Sequence, residues 1–193
     1  MSYFKNTFTT LLSVMLMTGY TTKGLQKTSI QVTTSNSVEA MSEKDIMLNG
    51  QHHRALSLSD YKRIYKKPER RIRVTTEEAC TSNFEDDPNS EFYFNKGIKF
   101  EVSKNKVIVN EFKFTQGNYI IFKQQRLSKN TTLEVVSKIF PHAFSKLKKF
   151  NTPENGVMKC IALEETPNHS SDGKVLLFFK KNKLYMLQWW FPC

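Results

Sequence analysis

Lys174-Val-Leu-Leu-Phe-Phe-Lys-Lys-Asn-Lys-Leu-Tyr-Met-Leu-Gln-Trp-Trp-Phe191 is the stretch that decides the fold. It consists of two apolar, aromatic-rich runs separated by Lys181-Asn182, a pair suited to a two-residue hairpin turn. Residues 175–179 are apolar on both faces of the strand they would form, which places that strand in the middle of a sheet. In the last run Tyr185, Leu187, Trp189 and Phe191 share one face, and Leu184, Met186, Gln188 and Trp190 share the other. A strand with a Trp on each face is either covered on one side by a helix or presents an aromatic row as a binding surface.

Upstream, residues 157–165 read as the first strand of the same antiparallel meander, joined through the loop 166–173. Before it, Thr131-x-x-Glu134 is a capping-box pattern, and Leu133, Val136, Ile139 and Phe140 recur at helical spacing. Pro141 ends or kinks that helix, and Ala143, Phe144 and Leu147 continue as a short second turn. Four earlier runs alternate like strands: Glu91–Asn95, Ile98–Ser103, 106–115 and 118–123, with Lys96-Gly97 and Lys104-Asn105 as turns. A second capping-box pattern, Thr75-x-x-Glu78, predicts a short helix carrying Cys80. The expected fold is α+β: one small antiparallel sheet over residues 75–193 with one main helix packed on it, preceded by a signal segment and a flexible linker.

Composition agrees with that division. The chain has 193 residues and 24 aromatics, of which 17 lie in residues 91–193, so the core is expected there. The same segment carries 17 Lys+Arg against 8 Asp+Glu, against 12 and 10 in residues 1–90, so most of the net charge of +11 belongs to the folded half. Such a domain is drawn to anionic surfaces, although scattered lysines also solvate strand faces and protect sheet edges.

Residues 1–22 read as an export signal: Lys5 without an acid, then an apolar stretch from Phe8 to Met17 that falls short of the ~20 residues of a membrane span. Residues 23–74, rich at first in Ser, Thr, Asn and Gln, read as a flexible, partly basic linker with a possible short helix at 57–65. Within it, Tyr61-Lys-Arg-Ile-Tyr-Lys-Lys-Pro-Glu-Arg-Arg-Ile-Arg73 interleaves seven cations with aromatic and aliphatic residues. That is the composition of a segment lying on an anionic surface. Lys62, Arg63, Lys66, Lys67, Arg70, Arg71 and Arg73 are therefore candidate contacts, together with Tyr185, Trp189 and Trp190 on the last strand.

Export permits disulfides, and three cysteines leave one over. The turn at Lys181-Asn182 puts Phe179 opposite Leu184, and the loop before Lys174 puts Glu165 roughly opposite Lys174 and Cys160 roughly opposite Phe179. Cys193 then lies about 30 Å from Cys160 at ~3.3 Å per residue, too far for a bridge that needs Cα atoms within about 7 Å. Cys80–Cys193 is the favoured pair, with Cys160 a buried thiol. The alternatives are no disulfide, or a bond from Cys193 to another chain.

The catalytic and cofactor signatures are missing. No C-x-x-C, H-E-x-x-H or H-x-x-x-H spacing offers a metal site, and no Gly-rich phosphate loop or G-x-S-x-G elbow occurs. His52-His53 has nothing to close a metal site. The His169, Ser170, Ser171 and Asp172 cluster is ordinary loop composition between strands, since triad members normally come from separate elements. No cofactor is expected, and export argues against nucleic acid.

Residues Leu16-Met-Thr-Gly-Tyr20 resemble the lipobox of bacterial lipoproteins, with Tyr20 where the lipidated Cys would stand. The plan of signal, linker and a helix ahead of a three-strand meander resembles small bacterial envelope lipoproteins. The nearest type is the SmpA/OmlA outer-membrane assembly lipoproteins, over Leu127 to Trp190. This resemblance implies an envelope location and transfers no functional residue. The resulting expectation is a non-enzymatic exported protein that binds an acidic protein partner or an anionic lipid surface. The alternative is an interbacterial immunity or inhibitor protein acting by surface complementarity.

Overall fold

In the computed structural model the described residues are 38–75, 82–84, 86–115, 117–152, 155–168 and 170–192. The C-terminal meander is present: β10 (Gly156–Glu164), β11 (Lys174–Lys180) and β12 (Lys183–Trp190) pair consecutively and antiparallel. Lys181 and Asn182 both adopt positive φ, 50° and 60°, as a type I′ turn requires. Phe179 faces Leu184 as expected. On the other side the register differs by one residue: Glu164, not Glu165, faces Lys174, and Cys160 faces Phe178.

The strands before the helix follow the turns. They are β4 (Glu91–Asn95), β5 (Ile98–Ser103), β6 (Lys106–Lys113) and β7 (Tyr119–Phe122). Five further strands carry too little apolar sequence, or are too short, to have been expected: β1 (Ile46–Leu48), β2 (Ala55–Ser57), β3 (Arg70–Arg73), β8 (Gln125–Ser128) and β9 (Lys148–Thr152). A nine-stranded sheet runs β3-β4-β5-β6-β12-β11-β10-β9, with β2 also on β6, and a three-stranded sheet runs β1-β7-β8. All of these ladders are antiparallel; a single isolated bridge, Ala40 to Glu164, is parallel.

The result is a small domain of antiparallel sheets with few helices. Three short helices stand in place of one main helix: α1 (Leu58–Tyr65), where the short helix at 57–65 was expected, and α2 (Leu133–Ile139) and α3 (Pro141–Ser145), which share the stretch expected to form the main helix and its second turn. Proline cannot supply the amide that would continue α2, so the chain breaks at Phe140 and restarts with Pro141 in the first turn. The N-cap of α2 is Thr132, whose hydroxyl accepts from Val135 N at 3.3 Å, while Thr131 instead accepts from Ser128 N at 2.9 Å.

The linker expectation is corrected over residues 38–74. Met41, Ile46, Leu48, Tyr61 and Tyr65 all sit in the main core. Met41 N donates to Glu164 O (2.9 Å) and Glu164 N to Glu39 O (3.1 Å), tying the start of the described chain to β10. The Glu39 carboxylate also accepts from His142 N (2.9 Å) and Ala143 N (2.7 Å), supplying α3 with the N-terminal acceptors its own residues lack. The expected signal at 1–22, the helix after Thr75, and both Cys80 and Cys193 lie outside the described residues.

The large sheet has two unlike faces. Its inner face carries Phe100, Val109, Phe112, Leu187, Trp189, Val175, Leu177 and Ile161, all part of the core closed by α1, α2 and the small sheet. Its outer face carries the alternate residues. Between them, β12 contains a bulge: Met186 faces Phe178 but Leu184 faces Phe179, so Tyr185 is the extra residue. The bulge puts Leu184 on the same buried face as Leu187 and Trp189, correcting the strict alternation expected from the sequence.

Candidate functional site

The seven cations of the segment 62–73 are all exposed. Lys62 and Arg63 lie on α1, whose buried stripe is Tyr61 and Tyr65, stacked at 5.4 Å between centroids. The helix starts at Ser57, whose hydroxyl accepts from Asp60 N, and stops at Lys66, where φ is 62°. After Pro68 the chain enters β3, which among the described residues is the outermost strand of the large sheet and bonds on one side to β4. Arg70 lies over the Phe94 ring at 3.9 Å and Arg71 over Tyr93 at 4.7 Å, each across from its cross-strand partner. Such stacking holds a guanidinium in place while its hydrogen-bonding edge stays free for an anion. Of the seven, Arg63 forms an ion pair, with Asp60 at 2.8 Å on the helix surface.

The three aromatic candidates on the last strand separate. Trp189 is 4% exposed and belongs to the core, so it is withdrawn from the binding surface. Tyr185, at the bulge, is half-buried and donates its hydroxyl to Asn155 Oδ1 at 3.0 Å. Trp190 is 41% exposed on the outer face. It stands on the row of Lys174 and Glu164, far along the sheet from β3. The basic edge and the aromatic strand are thus two surfaces and not one.

A buried polar network escaped sequence reasoning. At Val109 the partner of β6 changes from β2 to β12. Arg54 closes the junction: its carbonyl accepts from Val109 N (3.0 Å) and its Nε donates to Val109 O (3.1 Å). Its Nη1 donates to Glu165 Oε1 (3.1 Å) and its Nη2 to Asn83 Oδ1 (2.6 Å), while Trp189 and Phe191 each flank it at 5.1 Å. Burial pulls the Arg54 guanidinium below its ordinary pKa, and Glu43, Glu165 and Glu101 oppose that pull. Glu101, wholly buried, accepts from Asn83 N and Nδ2 (both 2.8 Å), from Asn110 Nδ2 (3.2 Å) and from Ser82 Oγ. The partners lie 9 to 111 residues apart, so no local motif announces them. A cleft of about 550 Å³ lined by Ser82, Asn83, Asp86, Asp87 and Ser103 opens beside them. Because its buried polar groups already bond to each other, the network reads as a structural clasp.

The remaining chemistry-bearing residues are also internally occupied. The His52 Nδ1 lies 2.5 Å from His53 O, which can only accept, so Nδ1 carries the proton and Nε2 accepts from Tyr65 OH at 2.7 Å. Ser171 donates to Glu165 at 2.6 Å, and His169 lies outside the described residues. Cys160 is buried and free as expected, and burial pushes its thiol up to about 11, which leaves it unreactive at neutral pH. Among the described residues no group of three His, Cys, Asp or Glu side chains could hold a metal, and no helix is long and apolar enough to cross a membrane. No family model matches the chain, and neither a curated protein nor a solved structure matches it.

Proposed function

We propose that the protein is a non-enzymatic, exported binding protein that holds to anionic groups through the edge formed by α1 and β3. The observation that carries this reading is the state of the seven cations at 62–73: every one is exposed, and Arg70 and Arg71 are stacked on aromatic rings. A stacked Arg loses less side-chain freedom on binding than a free Lys, and its planar fork fits phosphate and carboxylate alike. The apolar stretch between Phe8 and Met17 supports export, which would bring this edge to lipid headgroups or to acidic envelope proteins.

The test uses the full chain with two probes, phosphatidylglycerol vesicles and polyglutamate, each titrated at low and high salt. Binding to at least one probe, weakening steeply with salt, is expected, with at least a tenfold loss in the Arg70→Gln, Arg71→Gln, Arg73→Gln variant. The probe that binds identifies the anion's source. Salt-insensitive binding, or full affinity in the triple variant, would sink the proposal.

A further inference from the structure

The outer face of the large sheet has a pattern that the basic edge does not explain. Lys113, Met186, Phe178, Cys160 and Lys148 are consecutive partners across β6, β12, β11, β10 and β9. One row of the sheet therefore reads cation, three apolar residues, cation. Cross-strand partners share a face, so all five side chains stand on the same side. On that side the next row adds Glu111, Gln188, Leu176 and Ala162, and the row after it Trp190, Lys174 and Glu164, the two carboxylates being the partners of Lys99 and Lys174. On the other flank the preceding row adds Lys183, Lys180, Met158 and Phe150.

Leu176, Phe178 and Met186 are half-buried, yet none packs against the main core. The exposed large apolar side chains of this face stand at its margins: Trp190 at 41% and Phe150 at 44%. The apolar centre is thus a strip framed by exposed aromatics and lysines. It runs along the strand that is apolar on both faces, and a layered domain normally covers both faces of such a strand.

Charge and dimensions narrow the occupant. Lys113, Lys148, Lys180 and Lys183 form no ion pair among the described residues, whereas Lys174 pairs with Glu164 and Lys99 with Glu111. A second copy would bring the same lysines and a net charge of +11, so self-pairing is opposed. Lys113 and Lys148 are four strand spacings apart, about 19 Å at ~4.8 Å each. An α-helix with its side chains, about 10–12 Å across, fits between them, lying along β11 and β12.

We propose that this face docks an amphipathic helix of a partner protein, with an apolar stripe on Met186, Phe178 and Leu176 and acidic residues on both flanks facing Lys113 and Lys148. The site is independent of the β3 arginines. The probe is a synthetic 18-residue helical peptide with a Leu stripe flanked by Glu. The control replaces each Glu by Lys, and phosphatidylglycerol vesicles form a third arm.

Saturable binding of the Glu peptide is expected, with no binding of the Lys peptide. Affinity should fall at least tenfold in the Lys113→Glu, Lys148→Glu variant, and likewise in Leu176→Glu if its melting temperature matches the parent. The Arg70→Gln, Arg71→Gln, Arg73→Gln variant should keep full affinity for the peptide, which separates this site from the basic edge. Failure of the Glu peptide to bind, equal binding of the Lys peptide, or unchanged affinity in the double lysine variant would overturn the proposal. So would a double variant that loses vesicles but not peptide, since the face would then be a lipid surface.

Discussion

His52 shows how a single side chain couples the early segment to the core. It joins the strand at Leu48 to Tyr65 on α1, and burial lowers its pKa below the ordinary 6.5. The folded protein therefore resists a proton that the unfolded chain accepts as pH drops through about 6.5. Because the unfolded state then binds more protons, stability falls with pH from there down to the folded pKa. The urea midpoint should drop between pH 7.5 and 5.5, and His52→Gln should flatten that drop. An equal drop in the variant would remove His52 as its cause. At this scale the sequence was only partly readable. The burial of Cys160 followed from its apolar neighbours. The burial of Trp189 beside an exposed Trp190 needed the covered face to be known. Tyr185 looks like any strand residue, so nothing marked it as the inserted one.

Among the elements, those closed by tight turns were readable to within a residue or two. Lys96-Gly97 and Lys181-Asn182 fix both the ends and the register of their hairpins. The strands Gln125–Ser128 and Lys148–Thr152 were not, because edge strands need little apolar sequence and pairing alone defines them. The early segment escaped for a related reason: its anchors act on distant elements. Glu39 is the clearest case, since its carboxylate caps α3 from 103 residues away. Glu39→Ala should cost about 1 kcal/mol, as loss of an N-cap typically does. A thermal melt would register this as a lower Tm, and an unchanged Tm would show that water replaces the cap.

For the whole molecule, Arg54 binds together segments that the chain visits far apart: the β2–β6–β12 junction, the 82–84 segment and the end of β10. Arg54→Met would leave Glu165 and the network around Glu101 without their buried cation. Breaking a buried pair from one side costs about 3–5 kcal/mol. Chemical denaturation should show a loss of that order; a loss near that of a surface substitution would make the clasp incidental. The candidate binding surfaces were legible to different degrees. The cations at 62–73 are contiguous in sequence and could be named at once. The Lys113–Lys148 row is assembled from five strands and exists only once the register is set.

The two outer strands of the large sheet, Arg70–Arg73 and Lys148–Thr152, both begin with consecutive cations, and among the described residues both leave one hydrogen-bonding edge without a strand. A sheet open at both ends is a template for its own extension, one molecule adding to the next into a filament. Here two approaching ends bring like charge together, which opposes such extension. That restraint is electrostatic and not steric. A polyanion that neutralises both ends would remove it.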